Sequence, residues 1–178
     1  MGAIAGFVRA AEAVNGLLGR VVSWLTLGTV LACFATVYTR YALNTNFTWL
    51  QELYTWQHAA AIVIGAGFTM LVGGFVRVDI LYGKMPARGR AWVDLAGTLL
   101  FLFPFLFVLW AAFSTFAGNA FRVDEGSPNP GGLPNWWALK GTLLVFVALT
   151  ALQGLALMAR SVLVLGGREE LASKPTSH

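Results

Sequence analysis

Four long stretches of this sequence carry no Asp, Glu, Lys or Arg, and this feature constrains the fold most strongly. The uncharged stretches are Val21–Tyr38, Leu53–Val76, Leu95–Phe121 and Gly141–Ala159. About 20 apolar residues in a helix cross the roughly 30 Å hydrocarbon core of a membrane. The sequence therefore predicts an all-α membrane protein, a single domain over residues 1–178. Its four transmembrane helices should lie approximately at residues 21–38, 52–76, 94–118 and 137–165.

The composition agrees with a membrane protein and excludes several classes of function. Apolar residues make up 57% of the chain and charged residues 11%, whereas a soluble domain carries about 25% charged residues. This excludes a soluble enzyme. The single cysteine, Cys33, excludes internal disulfides and cysteine-built metal sites. The two histidines, His58 and the terminal His178, argue against the buried ligand pair of a membrane haem. We therefore expect no cofactor and no enzymatic activity.

The distribution of basic residues predicts the orientation of the helices. Of the 12 Lys and Arg residues, nine lie in the N-terminal segment, the second loop and the C-terminal tail. The other three, Arg40, Arg122 and Lys140, lie in the first and third loops. Because basic residues are enriched on the cytoplasmic side, both termini should be cytoplasmic. The basic residues are spread singly over the helix flanks, so we expect contacts with membrane lipids and no nucleic-acid partner.

The ends of the predicted helices carry local signals. The segment before the first span places apolar side chains on one helical face, interrupted by Asn15, which predicts a short N-terminal interfacial amphipathic helix. Thr48 and Gln51 have the spacing of a capping box, so the second helix should begin there. Glu52 then lies in the first turn, where the helix dipole favours a carboxylate. Gly166-Gly167 should end the fourth helix.

The predicted spans also carry residues suited to contacts between helices. Ala61, Gly65, Thr69 and Gly73 recur every four residues in the second span, and small residues let helices approach closely in lipid. Gln153 is the most polar side chain inside the fourth span. These residues are candidates for holding one four-helix bundle together. They are equally candidates for presenting a face to another subunit, and the sequence leaves both interpretations open.

Charged residues lie at the rims of the predicted spans. Glu52 lies at the outer rim with His58 deeper in the same span, and Arg77 and Asp79 lie at the inner rim. Arg77 and Asp79 are two residues apart, so they do not face each other along a helix. The charges at the two rims are either solvated or anchors to another helix or subunit. Ionisable groups at the bilayer centre mark ion pathways, and the spans have none there, which predicts that this chain moves no solute alone.

Three segments, in order, resemble the small membrane subunit (DctQ-like) of the tripartite ATP-independent periplasmic (TRAP) transporters. The first runs from Trp49 to His58, and the second is Phe75-Val-Arg-Val-Asp-Ile-Leu-Tyr82. The third is the loop and helix start Ser127–Lys140, followed by Gln153-Gly154. This third segment resembles the branch of the family assigned to mannitol, chloroaromatic and 2-oxo-acid systems. The resemblance covers about residues 20–165.

The resemblance implies specific residues, partners and a function. The family's glutamate, arginine and aspartate carry over to Glu52, Arg77 and Asp79, while Phe75 stands where the family signature has histidine. The implied protein is a small permease subunit of the bacterial inner membrane that braces the scaffold of a large elevator-type membrane subunit. A periplasmic binding protein would deliver an organic acid. The large subunit would hold the substrate and sodium sites for secondary active uptake by symport.

Two alternatives come from other classes of protein. One is an independent four-helix channel or small exporter that acts as a homo-oligomer, which ionisable residues at the centre of the spans would favour. The other is the membrane anchor of an enzyme, which a second intramembrane histidine would favour.

Overall fold

The computed structural model describes residues 2–75 and 82–168. These residues form helices joined by turns and loops, so the predicted all-helical fold is confirmed. A π-helical segment, Thr98–Leu102, joins the helix that ends at Gly97 to the helix that begins at Phe103 without a break. The helices are α1 (Gly2–Ala42), α2 (Thr48–Leu71), α3 (Ala87–Gly97), α4 (Phe103–Arg122) and α5 (Trp136–Leu165).

Within the described residues, three helical segments are long and apolar enough to cross a membrane. They are Gly2–Ala42, Ala87–Arg122 and Trp136–Leu165. The second helix, α2, does not reach the same criterion over its described residues, since Gln57 and His58 interrupt its apolar sequence. The count of four spans therefore stays a prediction.

The first helix is longer than the sequence predicts. At about 1.5 Å per residue, the 41 residues of α1 span about 60 Å, twice the roughly 30 Å hydrocarbon core. The predicted N-terminal amphipathic helix is the first part of α1 and not a separate element. Its buried residues Val8, Ala11 and Asn15 continue the buried face of the whole helix. An interfacial position for this part of α1 stays a prediction.

The fifth helix is the centre of the bundle. It packs against α1, α2, α3 and α4, and it contributes nine buried residues. The outward faces of α1 and α4 are apolar and uncovered. Trp24 on α1 is 73% exposed and Phe107 on α4 is 74% exposed. The described chain is thus a bundle around α5 with two broad apolar surfaces.

The π-helical segment ends two residues before Pro104. Proline lacks a backbone N–H and its ring collides with the preceding turn of an α-helix, and a π-helical turn widens the helix at such a point. Directly after the segment, Pro104 is the second residue of α4. Gly154 of α5 faces this region, and a Cβ there would lie 2.9 Å from Leu102 Cδ2. The segment therefore packs closely on the central helix.

Candidate functional site

A buried carboxylate organises the end of the bundle where α2 and α5 begin. Glu52 is 7% exposed, and its two oxygens accept hydrogen bonds from four residues of the loop and helix start that follow α4. Ser127 Oγ and Asn129 Nδ2 donate to Oε1, the latter at 3.1 Å. The Leu133 backbone N–H donates to Oε2 at 2.6 Å and Trp136 Nε1 at 3.4 Å. We call these five residues the Glu52 cluster.

The loop conformation depends on close approach to this carboxylate. A Cβ at Gly132 would collide with Ser127 and would lie 2.6 Å from Glu52 Oε1, so no larger residue fits there without a shift of the loop. The backbone N–H of Asn129 donates to Ser127 Oγ at 3.0 Å, which turns the chain around the hydroxyl. Hydrogen bonds to an ionised acceptor are stronger than neutral ones. One carboxylate from α2 therefore fixes the shape of a loop more than 70 residues away.

A second set of contacts stabilises the same end of the bundle. Lys140 Nζ lies 2.6–2.7 Å from both carboxylate oxygens of Glu125 and 4.1 Å from the centre of the Phe116 ring. Trp137 Nε1 donates to Asp124 at 3.1 Å. Trp137 and Lys140 lie among the first five residues of α5, while Asp124 and Glu125 follow the end of α4 at Arg122. These pairs therefore join the end of α4 to the start of α5.

At the opposite end, a buried amide joins three helices. Asn15 of α1 is 1% exposed, and its Nδ2 donates to Gln153 Oε1 of α5 at 3.1 Å. The same Nδ2 lies 3.3 Å from the Ala11 carbonyl of its own helix. Its Oδ1 lies against Gly67 of α2, where a Cβ would collide with it. Glu12 and Arg160 form an ion pair between α1 and α5 close to this contact.

A cleft of about 540 Å³ opens beside these contacts, between the end of α2, α3, the π-helical segment and α5. Its walls are mostly apolar, with Leu102, Leu106 and Phe146 among them. Glu12, Asp94 and Arg160 also line it, and Tyr82 Oη donates to the Asp94 carboxylate at 2.8 Å. Among the described residues, no group of three His, Cys, Asp or Glu side chains could hold a metal ion.

The structure separates the predicted site residues. Glu52 and Gln153 are buried at opposite ends of the bundle, and His58 is exposed on α2. Arg77 and Asp79 lie outside the described residues. The predicted inner-rim anchors therefore stay predictions.

The predicted strip of small residues lies partly on the seam with α1. Ala61, Gly65 and Thr69 are half-buried on α2, and a Cβ at Gly65 would lie 3.8 Å from Val22 of α1, in ordinary contact. Gly73 follows the end of α2 with φ of 69°, so it is a turn residue and not part of a helical strip. The closest approaches involve other glycines. A Cβ at Gly19 would collide with Phe68.

Several important residues were not among the sequence candidates. The loop members of the Glu52 cluster are one group, and the pair Glu12 and Arg160 is another. The signal for Asn15 was present, because an amide interrupted an otherwise apolar face. Its partner Gln153 was singled out separately, and 138 residues separate the two.

The sequence of this chain matches a known protein family. The family described as tripartite ATP-independent periplasmic transporters, DctQ component, matches residues 29–164. The chain belongs to the DctQ family. Members of this family work in tripartite transporters together with a large membrane subunit and a periplasmic binding protein, and the family is a transporter component and not an enzyme family. The match includes the whole Glu52 cluster and Gln153, while Glu12 and Asn15 precede it.

The family match confirms the resemblance read from the sequence, at the level of the family. The mannitol, chloroaromatic and 2-oxo-acid branch stays a prediction. Comparison with curated proteins gives no match, and neither does comparison with solved structures.

Proposed function

We propose that this DctQ-family chain braces the static scaffold of the large membrane subunit during sodium-driven uptake of an organic acid that the periplasmic binding protein delivers. The observation that carries the proposal is that α1 and α4 each leave an apolar face uncovered. The bundle that bears these faces is held together by polar contacts at both ends. A brace needs a rigid body and a surface for its partner. The Glu52 cluster and the contacts of Asn15 supply rigidity, and the faces that include Trp24 and Phe107 leave apolar surface on which a partner helix can replace lipid.

An association experiment tests this proposal. We expect the chain to co-purify with its large subunit from membranes. A polar substitution on the face that contacts the subunit, Trp24→Ser on α1 or Phe107→Ser on α4, should reduce co-purification without lowering the amount of chain in the membrane. Gly141→Ala is a matched control, because a Cβ there would meet no atom within 4 Å. Self-association of the chain with no binding to the large subunit would contradict the proposal and favour the homo-oligomeric channel.

We also propose that α2 crosses the membrane, so that the chain has four spans. Helix α2 runs antiparallel to α1, since Gly16 faces Leu71 at one end and Gly28 faces Gln57 further along. It runs parallel to α5, since the rings of Trp56 and Trp136 lie 6.3 Å apart and Gly67 faces Leu149. A helix that lies alongside two spanning helices over this length occupies the same depth of the bilayer.

With four spans, the basic-residue asymmetry supports an orientation in which both termini are in the bacterial cytoplasm and the Glu52 cluster is in the periplasm. Single cysteines in a Cys33→Ser background test this arrangement. A cysteine at Ser127 should react with a membrane-impermeant thiol reagent in intact cells, and one at Ser173 should react in inverted membrane vesicles. The reverse pattern would contradict the orientation, and reaction of both positions from the same side would show that α5, which lies between them, does not cross the membrane.

A further inference from the structure

The seam between α1 and α2 contains two contacts in which a side-chain amide of one helix lies on a glycine of the other. They are reciprocal. Asn15 of α1 lies on Gly67 of α2, and Gln57 of α2 lies on Gly28 of α1. On α1, Gly19 lies between Asn15 and Gly28, and a Cβ at Gly19 would collide with Phe68 of α2.

The Asn15 contact uses an oxygen that no N–H or O–H reaches. Asn15 is 1% exposed, and its Oδ1 is buried without a hydrogen-bond donor among the described residues. That oxygen occupies the place where the Cβ of any residue other than glycine at position 67 would be. It therefore lies directly on the Gly67 Cα. Cα–H···O contacts of this kind recur at interfaces between closely packed helices.

The Gln57 contact has the same form with the roles of the helices exchanged. Both the amide nitrogen and the amide oxygen of Gln57 lie 3.1 Å from the position of a Cβ at Gly28, so the amide lies flat on the glycine. Gln57 Oε1 is also buried without a donor among the described residues. The two buried amide oxygens of this seam that lack a donor are thus both explained by a glycine on the facing helix.

We propose that Asn15 and Gln57 are positioning residues that set the register of α1 against α2. Apolar side chains alone define register weakly in lipid, because a helix shifted by one turn exchanges one apolar surface for another. Here a shift by one turn would move the Asn15 amide from Gly67 to Val63 or Leu71. It would move the Gln57 amide from Gly28 to Trp24 or Ala32. Val63 or Leu71 would meet the Asn15 amide with an apolar side chain that offers no hydrogen-bond partner. Trp24 or Ala32 would bring a Cβ to the place where the Gln57 amide lies on Gly28.

Because each helix carries one amide and one glycine that faces an amide, a shift of α1 along α2 in either direction disturbs both contacts. A buried polar group that fixes alignment at some cost in stability is the best-attested use of such groups in helix pairs. Asn15 adds a third helix to the same alignment through its 3.1 Å hydrogen bond to Gln153. The register that it selects therefore also sets the position of α1 on α5.

Cysteine crosslinking of the full-length chain in membranes tests the proposal. In a Cys33→Ser background, Val22→Cys with Gly65→Cys reports the observed register, since a Cβ at Gly65 lies 3.8 Å from Val22 Cγ2. Val22→Cys with Ala61→Cys reports a register shifted by one turn. The measured quantity is the ratio of the two crosslinking yields with a short thiol reagent.

We expect the double substitution Asn15→Leu and Gln57→Leu to lower this ratio about tenfold while the chain stays helical and in the membrane. That change corresponds to about 1.4 kcal/mol, close to the combined strength of two interhelical polar contacts in a membrane. The matched control is Thr69→Val. It removes a polar group of the same seam whose hydroxyl donates within its own helix to the Gly65 carbonyl, and it should leave the ratio unchanged.

A second variant covers the case in which the double substitution fails to fold. Gly28→Ala keeps both amides and occupies the surface on which Gln57 lies, so it should also lower the ratio. An unchanged ratio in either folded variant would overturn the proposal, and so would an equal fall in Thr69→Val. This test does not depend on the large subunit, so its failure would leave the proposed function untouched.

Discussion

Replacing Glu52 should release the loop that its carboxylate holds. In Glu52→Ala, the Leu133 N–H and Trp136 Nε1–H lose their acceptor, and neither group can reverse to accept a bond. The Ser127 hydroxyl and the Asn129 amide are less affected, because each can rotate and find another partner. The loss of loop stability in Glu52→Ala therefore comes mainly from the loss of the 2.6 Å hydrogen bond that the Leu133 N–H donates.

The magnitude follows from that bond. A hydrogen bond to a charged group contributes about 1.5–3 kcal/mol, and loss of about 2.8 kcal/mol makes local opening about a hundredfold more frequent. Glu52→Gln should have a smaller effect. Its amide oxygen can accept from Leu133 and Trp136, while its NH₂ can donate to Ser127. It loses the charge assistance, which roughly doubles the strength of such bonds, so we expect opening at most about tenfold more frequent.

Hydrogen exchange of the Leu133 amide, measured by NMR in detergent micelles or nanodiscs, tests this reasoning, because exchange reports local opening. Exchange should accelerate in the order wild type, Glu52→Gln, Glu52→Ala. Amides in the middle of α5 should exchange at unchanged rates and serve as the control for global destabilisation. Equal exchange at Leu133 in wild type and Glu52→Ala would refute the role of the carboxylate. Equal acceleration of loop and α5 amides would show that Glu52 stabilises the whole bundle and not the loop.

Two further predictions concern contacts of α1 and are measured by thermal unfolding in detergent. Gly19→Ala should destabilise the chain by about 1–3 kcal/mol, because the added Cβ collides with Phe68 and forces the helices apart. Gly16→Ala on the same helix meets Leu71 at an ordinary 3.7 Å and should be neutral or stabilising by up to about 1 kcal/mol; equal losses for both would contradict the close approach. The half-exposed pair Glu12 and Arg160 should show a coupling of about 1 kcal/mol or less in a double-mutant cycle, and strict additivity would show that the pair contributes nothing.

The sequence predicted the helices because their signals are local. Long uncharged apolar stretches require helices in lipid, where each backbone polar group must be satisfied within its segment. The predicted end at Gly166-Gly167 is confirmed, since α5 ends at Leu165. The capping-box prediction was right about the start of α2 and wrong about its mechanism. Helix α2 begins at Thr48 with Phe47 as its N-cap and no capping side chain, while Gln51 Nε2 donates to Asn46 at 2.7 Å.

The side-chain contacts at both ends could not be predicted, because they join residues far apart in the sequence. The prediction that Glu52 lies in the first turn of α2 was wrong, because α2 begins at Thr48 and has no acidic residue in its first turn. The hydrogen-bond partners of Glu52 lie 75–84 residues later. Asn15 was visible as an interruption of an apolar face. Local periodicity could not show that this amide faces Gln153 and Gly67, since that depends on how three helices meet. The segment before the first uncharged stretch was predicted to be a separate interfacial helix because its apolar side chains share one helical face, with Arg9 and Glu12 opposite. The Glu12 charge is instead paired with Arg160 on α5.

Reconstituted transport tests the central claim, that this chain serves as a brace and not as a transporter on its own. Proteoliposomes with a sodium gradient would contain the chain alone, the large subunit alone, or both, each with the substrate-loaded periplasmic binding protein outside. We predict uptake of the organic acid in the vesicles that hold both membrane subunits, and none with the chain alone. Vesicles with the large subunit alone should show strongly reduced uptake, because a moving domain needs a fixed partner. Uptake by the chain alone, or undiminished uptake by the large subunit without it, would contradict the account.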